Sequence, residues 1–142
     1  MKIENLMREI FEKHSTIAVC GMSRTPGKAA HAVPAYLYLK GYKIIPVNPF
    51  AEEILGLKCY PSVKDVPEKI EILEVFRPSY QSFDVVKEAV ERRAERGDIE
   101  VIWLQEGIVN DEAKELAEKA GIKFIQDKCM YREFVKVFPE KE

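Results

Sequence analysis

Long hydrophobic runs are missing from this 142-residue chain, and with them any helix able to span a membrane, which takes about 20 consecutive apolar residues. The opening stretch 1–14 is too charged for a signal peptide, so the protein is expected to be soluble and cytoplasmic. Charge of one sign is also lacking. Lys and Arg number 22 against 24 Asp and Glu, a net charge of -2, whereas a dedicated nucleic-acid binder carries a basic face. Cysteine is sparse: Cys20, Cys59 and Cys129 are odd in number and widely spaced, which suits free thiols in a reducing compartment. With no C-x-x-C pair and only His14 and His31 beside them, they are poor material for a zinc site. Asn and Gln are scarce next to Glu, Lys and Arg, a bias found in heat-adapted proteins.

What is present is a regular alternation. The length fits one domain, read as residues 1–142 with a core over about 15–130 and a short helix at each end; a second catalytic domain would be hard to accommodate. Strands are predicted at 17–20, 43–47 ("KIIPV"), 70–76, 101–104 and 122–125, with a short edge strand at 57–60. Helices are predicted at 29–40, 79–96, 110–120 and 131–137. Pro34 is tolerable only near the first turn of its helix, Gly41 ends that helix, and Asn110 is a candidate N-cap with Gly121 past the far end. Phe83, Val86 and Val90 give the helix at 79–96 an apolar face, and the charged run 88–96 reads as its solvated side. Apolar strands separated by helices imply a mainly parallel sheet covered on both faces, a doubly wound α/β fold of Rossmann type.

In that architecture a ligand sits beyond the carboxyl ends of the strands, where the strand order reverses. Four segments meet there. In the first, "GMSRTPGK", Gly21 turns the chain out of the strand and Gly27 relieves crowding before the helix. Ser23 and Thr25 offer hydroxyls, Arg24 and Lys28 offer positive charge, and the helix start favours an anion. The spacing G-x5-G departs from the dinucleotide fingerprint G-x-G-x-x-G, so an ordinary strand–helix connection is the competing reading. In the second, Asn48 and Pro49 follow Val47 with no carboxylate until Glu52, which disfavours NAD, since an NAD site places Asp or Glu there for the ribose. The third is Phe76-Arg77-Pro78 and the fourth Gln105-Glu106-Gly107.

The series "GMSRTPGKAAH", "GYKIIPVNPFAEEILGLKCYPSV", "EVFRPSYQ" and "WLQEGIVNDEAKELAEKAGIKFIQDKCM" resembles the small stand-alone CoA-binding domain family. It is similar to the N-terminal CoA-binding domain of the succinyl-CoA synthetase α subunit and of ADP-forming acyl-CoA synthetases, over roughly residues 15–130. The resemblance implies coenzyme A, or an acyl-CoA, as ligand. It puts Gly21, Met22, Ser23, Arg24, Thr25 and Lys28 around the diphosphate, and Val47, Asn48 and Pro49 beside the adenosine. Phe76, Arg77 and Pro78 would form the opposite wall with Arg77 near phosphate, and Gln105 and Glu106 would lie near the pantetheine arm. Many relatives carry a basic residue after the Asn-Pro, where Phe50 stands here. Arg24, Lys28 or Arg77 would then neutralise the 3′-phosphate, or Phe50 would stack on adenine.

The synthetases also phosphorylate a histidine in a second domain and need an ATP-grasp partner, which this chain lacks. His14 is expected at a solvated helix end and His31 in a packing role beside the first loop. Cys20 is expected to pack as a small apolar residue in its strand, Trp103 and Phe124 to be core, and Glu106 and Asp127 to make hydrogen bonds or face solvent. No catalytic set and no metal site emerges. The expectation is a CoA-binding, sensing or presenting module, with a protein partner supplying any catalysis and the oligomeric state open. Two alternatives stand beside it, an NAD(P)-dependent oxidoreductase and a regulatory interaction protein whose nucleotide site has decayed.

Overall fold

The computed structural model of the protein describes residues 2–139; residue 1 and residues 140–142, the ends of the predicted span, lie outside them. The elements run α1 (Lys2–Lys13), β1 (Thr16–Cys20), α2 (Ala29–Leu39), β2 (Lys43–Val47), β3 (Glu53–Ile54), β4 (Leu57–Lys58), β5 (Ile72–Val75), α3 (Ser79–Arg96), β6 (Val101–Leu104), α4 (Asp111–Lys119), β7 (Lys123–Ile125) and α5 (Met130–Val137). Five strands form one parallel sheet in the order β2-β1-β5-β6-β7. The chain steps outward from β1 to β2, then returns past β1 to build the other half. The order therefore reverses between β1 and β5, as a doubly wound sheet requires.

Alternation along each strand sorts the core into two layers. Ile17, Val19, Ile44, Ile72 and Trp103 face α1, α2 and α5, where Met7, Phe11, Leu37 and Phe134 meet them. Ala18, Cys20, Ile45, Val47, Leu73 and Ile102 face α3 and α4, against Val86, Ala89, Ala113 and Ala117. The helix ends follow their capping chemistry. Asn110 accepts the Ala113 N–H at 2.9 Å, and Gly97 takes the left-handed conformation (φ 75°) after α3.

Several expectations are corrected. Pro34 lies in the second turn of α2, not the first. It deprives the Ala30 carbonyl of its usual helical donor, and that carbonyl instead accepts the backbone N–H of Ser23 at 3.1 Å. The proline thereby ties the loop after β1 to the helix. The predicted edge strand at 57–60 is divided: β4 pairs antiparallel with β3, and Tyr60 makes a single parallel bridge to Val47. The hairpin turn places Leu55 (φ 59°) and Gly56 (φ 73°) both in the left-handed region.

His14 is not a solvated helix end. Its side chain is 9% exposed, with Nδ1 3.5 Å from the Glu71 carboxylate. The same carboxylate accepts the Ser15 and Thr16 N–H groups, and although burial pushes Glu71 up, these bonds hold it below the ordinary carboxylate range.

The run 88–96 is not wholly solvated either, because Arg92 is buried. Its guanidinium pairs with Asp98 at 2.9 Å and donates to the carbonyls of Val63, Val66 and Glu68. Asp98 also accepts the Ile70 N–H at 2.9 Å. The connection 60–70 has no α-helix of its own, and Arg92 and Asp98 help to fasten it, together with Arg96 on the Val66 carbonyl and Glu88 on the Lys64 N–H.

One buried group escaped the sequence reading. Glu74, in register between Val19 and Trp103, is fully buried and neither carboxyl oxygen has a hydrogen-bond partner. Burial alone pushes it up to about 8.

Candidate functional site

The reversal between β1 and β5 brings the four predicted segments to one rim, joined by short bonds. Gly21 N–H donates to the Val47 carbonyl and Phe76 N–H to the Cys20 carbonyl, both at 2.9 Å, and Gln105 N–H donates to Val75 at 3.2 Å. Gly21 is required twice over. Its φ is +86°, and a Cβ there would lie 2.9 Å from the Phe76 carbonyl oxygen. Gly27 is the reverse of what was expected, since a Cβ there would meet nothing within 4 Å. Gly21→Ala is therefore expected to lower stability by at least ~2 kcal/mol in urea unfolding, while Gly27→Ala leaves it within about 1 kcal/mol of the parent.

The loop after β1 is held from within. Ser23 Oγ accepts the Thr25 N–H at 3.0 Å, the Ser23 carbonyl lies 2.7 Å from His31 Nδ1, and the Lys28 N–H donates to the Thr25 carbonyl at 3.1 Å. His31 thus packs the loop. Met22 is fully buried in the core, so only its backbone faces the rim. Arg24, Thr25 and Lys28 are exposed, and among the described residues neither Arg24 nor Lys28 has a carboxylate partner. Lys28 is the N-cap of α2 and gives it no side-chain cap, which leaves the positive end of the helix open beside two free cations.

At the second segment, Asn48 Nδ2 donates to the Met22 carbonyl at 2.9 Å and Oδ1 accepts the Phe50 N–H at 2.7 Å. Its amide links the first two loops. Pro49 is exposed, and so is Phe50, at 79%. At the third, Phe76 packs against the core, Pro78 caps α3, and Arg77 lies beside Cys20. Burial pushes the Cys20 thiol up to about 11, with Arg77 pulling only partly against it, so Cys20 is an inert thiol as expected of a packed residue.

The fourth segment is tied to the chain beyond β7. Gln105 is buried, and its Oε1 accepts the Met130 N–H at 3.3 Å at the start of α5. Glu106 pairs with Arg132 at 3.0 Å, and Asp127, at φ 58°, accepts the Gly107 N–H at 2.8 Å.

Between the ends of β1 and β2 and the first turns of α3 lies a cavity of about 320 Å³. It gathers Val47 and Arg77 from the predicted set, but the sequence reading missed Pro61, Ser62, Gln81 and Val85, which also line it. Gln81 and Val85 sit at helical spacing on one face of α3, a signal the sequence does carry. Pro61 and Ser62 belong to a connection held by the Tyr60 bonds to Pro46 and Asn48 and by Arg92, whose guanidinium donates to the Val63 carbonyl. A larger hollow, about 520 Å³, opens between α1 and α5, away from the strand ends and from every predicted residue. No helix among the described residues is long and apolar enough to cross a membrane.

With that geometry in hand, comparison with known proteins is informative. The chain is 38% identical over 124 residues to the uncharacterized protein YneT of Bacillus subtilis, covering 87% of this chain and 88% of that one. It is 30% identical to the ADP-forming acetate–CoA ligase of Methanocaldococcus jannaschii, covering 89% of this chain but only 20% of the ligase. A solved hypothetical protein from Pyrococcus horikoshii matches with a TM-score of 0.88 and 36% identity, over 94% of this chain and 91% of that one. The family model described as CoA binding domain matches residues 15–134, and the chain belongs to that family.

Proposed function

We propose that the protein binds coenzyme A, or an acyl-CoA, in the crevice at the carboxyl ends of the strands. It does so as a binding, sensing or presenting module of the cytoplasm, with catalysis supplied by a separate protein. The observation that carries this reading is the juxtaposition of a helix start without a side-chain cap, Arg24 and Lys28 with no carboxylate partner among the described residues, and a cavity of about 320 Å³ large enough for one end of a nucleotide. In this reading the backbone of Gly21, Met22 and Ser23, with Thr25, Arg24 and Lys28, surrounds the diphosphate. Arg77 reaches phosphate from the facing loop, Val47, Asn48 and Pro49 border the adenosine, and Phe76 and Pro78 wall the other side. The pantetheine arm runs toward Gln105 and Glu106. Support for a module without its own chemistry comes from the histidines. His31 packs the loop, and His14 faces Glu71 at the opposite end of the strands.

The test is ligand-linked melting. At a hundredfold excess over Kd a ligand bound only by the native state adds about 2.7 kcal/mol, which should raise Tm by roughly 5–10 °C for a domain of this size. CoA is expected to do this and NAD far less, because Asn48 and Pro49 offer the ribose no carboxylate. Lys28→Ala and Arg77→Ala should each weaken CoA binding about tenfold or more, through loss of a charge-assisted contact. An NAD shift as large as that of CoA would overturn the reading.

A further inference from the structure

Helix α2 differs from the other helices. On α1, α3, α4 and α5 the face turned away from the core carries charge, as at Arg8, Glu91, Glu118 and Lys136. Across Ala29–Leu39 there is no Asp, Glu, Lys or Arg. A helix apolar all round belongs in an interior, yet α2 buries only Val33, Pro34 and Leu37. Ala32, Ala35 and Leu39 recur at helical spacing on the opposite side, and Leu39 is 82% exposed. Tyr38 flanks this face at 42% exposure. On the other flank Tyr36 meets Tyr131 of α5 edge-on, with ring centroids 4.6 Å apart, and Tyr131 is 39% exposed. The apolar surface therefore extends from α2 onto α5.

Size and shape decide what covers it. The exposed parts of these side chains come to roughly 400 Å². Specific interfaces are about 60% apolar, so such a patch belongs to a contact of roughly 1,300 Å² over both partners, within the range of specific dimers. The partner must itself be uncharged along α2, a length of about 16 Å at 1.5 Å per residue. A second copy meets that condition. Lys28 and Lys40 bracket the face, short of the basic cluster that draws an anionic membrane. The face is also graded, with Ala29, Ala32 and Ala35 first and Tyr38 and Leu39 last. A two-fold axis across the helix runs two copies antiparallel and lays each Leu39 over the partner's Ala32, large on small. Packed helices commonly cross at about −50°, so the ends diverge and Lys28 and Lys40 stay in water. We propose that the outer face of α2, extended by Tyr131, is the two-fold interface of a homodimer. This goes beyond the CoA reading and does not rest on it.

The test is sedimentation velocity of the full chain across a concentration series. The parent should pass from monomer to dimer with a Kd of about 1–100 µM, as expected of an interface near the lower end of the specific range. Leu39→Glu should raise that Kd at least about 30-fold, because two-fold symmetry makes each substitution act twice. Leu39→Lys should do the same, since what is lost is apolar contact and not a charge of one sign. Leu39 is almost fully exposed in the single chain, so both variants should keep the parent's circular dichroism. Tyr80→Glu is the control: Tyr80 is 79% exposed on α3, across the sheet from α2, and its replacement should leave association unchanged. A parent that stays monomeric at about 200 µM, above the expected Kd, would overturn the proposal. So would association that survives Leu39→Glu, or that Tyr80→Glu abolishes, because either places the contact elsewhere.

Discussion

Glu74→Gln is expected to stabilise the protein by about 3 kcal/mol at pH 7 and to flatten its stability between pH 5 and pH 8. The basis is the carboxyl held between Val19 and Trp103 with no hydrogen-bond partner on either oxygen. Burial pushes it up to about 8, from an ordinary value of 4.5. The sign follows from proton counts. Between these two values the native state holds a proton that the unfolded state has released, so stability falls as pH rises through that window and levels off above it. Below the lower value both states are protonated and the penalty vanishes. Across the window the loss is on the order of 5 kcal/mol, a large share of the 5–15 kcal/mol typical of a domain. Asp98 and Glu71, held below the ordinary range, act oppositely, stabilising above their unfolded values and losing that contribution as pH falls through the folded ones. The stability maximum should therefore lie near pH 5. Urea unfolding at pH 5, 7 and 8.5 checks this, and a parent profile flat across those values would contradict it. Glu74→Leu should stabilise at least as much, because it removes the unpartnered polar atoms as well as the charge.

That penalty was invisible in the sequence for a simple reason. The stretch 70–76 holds Glu71 and Glu74, and nothing in its local pattern says which of the two lies at the strand's end and which in its buried middle. Only the central place of β5, covered on both faces, makes that position interior. The opposite holds for β2, α3 and β6, whose bounds match the prediction because local chemistry sets them. Gly41, Asn48-Pro49, Pro78 and Gly97 punctuate the chain wherever it turns. The hairpin at 53–58 was missed because Leu55, a poor residue for a left-handed turn, stands where Asn or Asp would have signalled one.

The site divides in the same way. That the four segments meet was legible, since they follow neighbouring parallel strands and must share one end of the sheet. The internal work of the rim residues was not. Asn48 was read as a candidate ligand contact, yet its amide joins two loops, and Gln105 was read likewise but anchors the start of α5. Such bonds depend on loops that meet only after the sheet has formed. The family resemblance was legible because its motifs fall in order along nearly the whole chain, and the family model confirms it over residues 15–134.

Arg92→Ala should destabilise the protein by about 3–5 kcal/mol, the usual penalty for breaking a buried pair and leaving one charge behind. Arg92 is 2% exposed, and its six hydrogen bonds reach Asp98, Val63, Val66 and Glu68. Removing it leaves three carbonyls without that donor and leaves the Asp98 carboxylate with the Ile70 N–H. In the parent, burial pushes Asp98 up but the Arg92 and Ile70 bonds together hold the group below its ordinary value. In the variant that balance reverses, so Asp98 takes up a proton more readily in the native state and the destabilisation should shrink as pH falls. Arg92→Lys should recover little, because one ammonium cannot match a fork that serves a carboxylate and three carbonyls at once. At roughly 2–4 °C per kcal/mol the loss corresponds to a Tm lower by about 6–20 °C. The consequence reaches the site, because residues 61–63, which line the cavity, belong to the connection that Arg92 fastens. Saturating CoA should therefore raise the Tm of Arg92→Ala by less than it raises that of the parent. An equal ligand shift in the two proteins would show that the cavity wall does not depend on this pair.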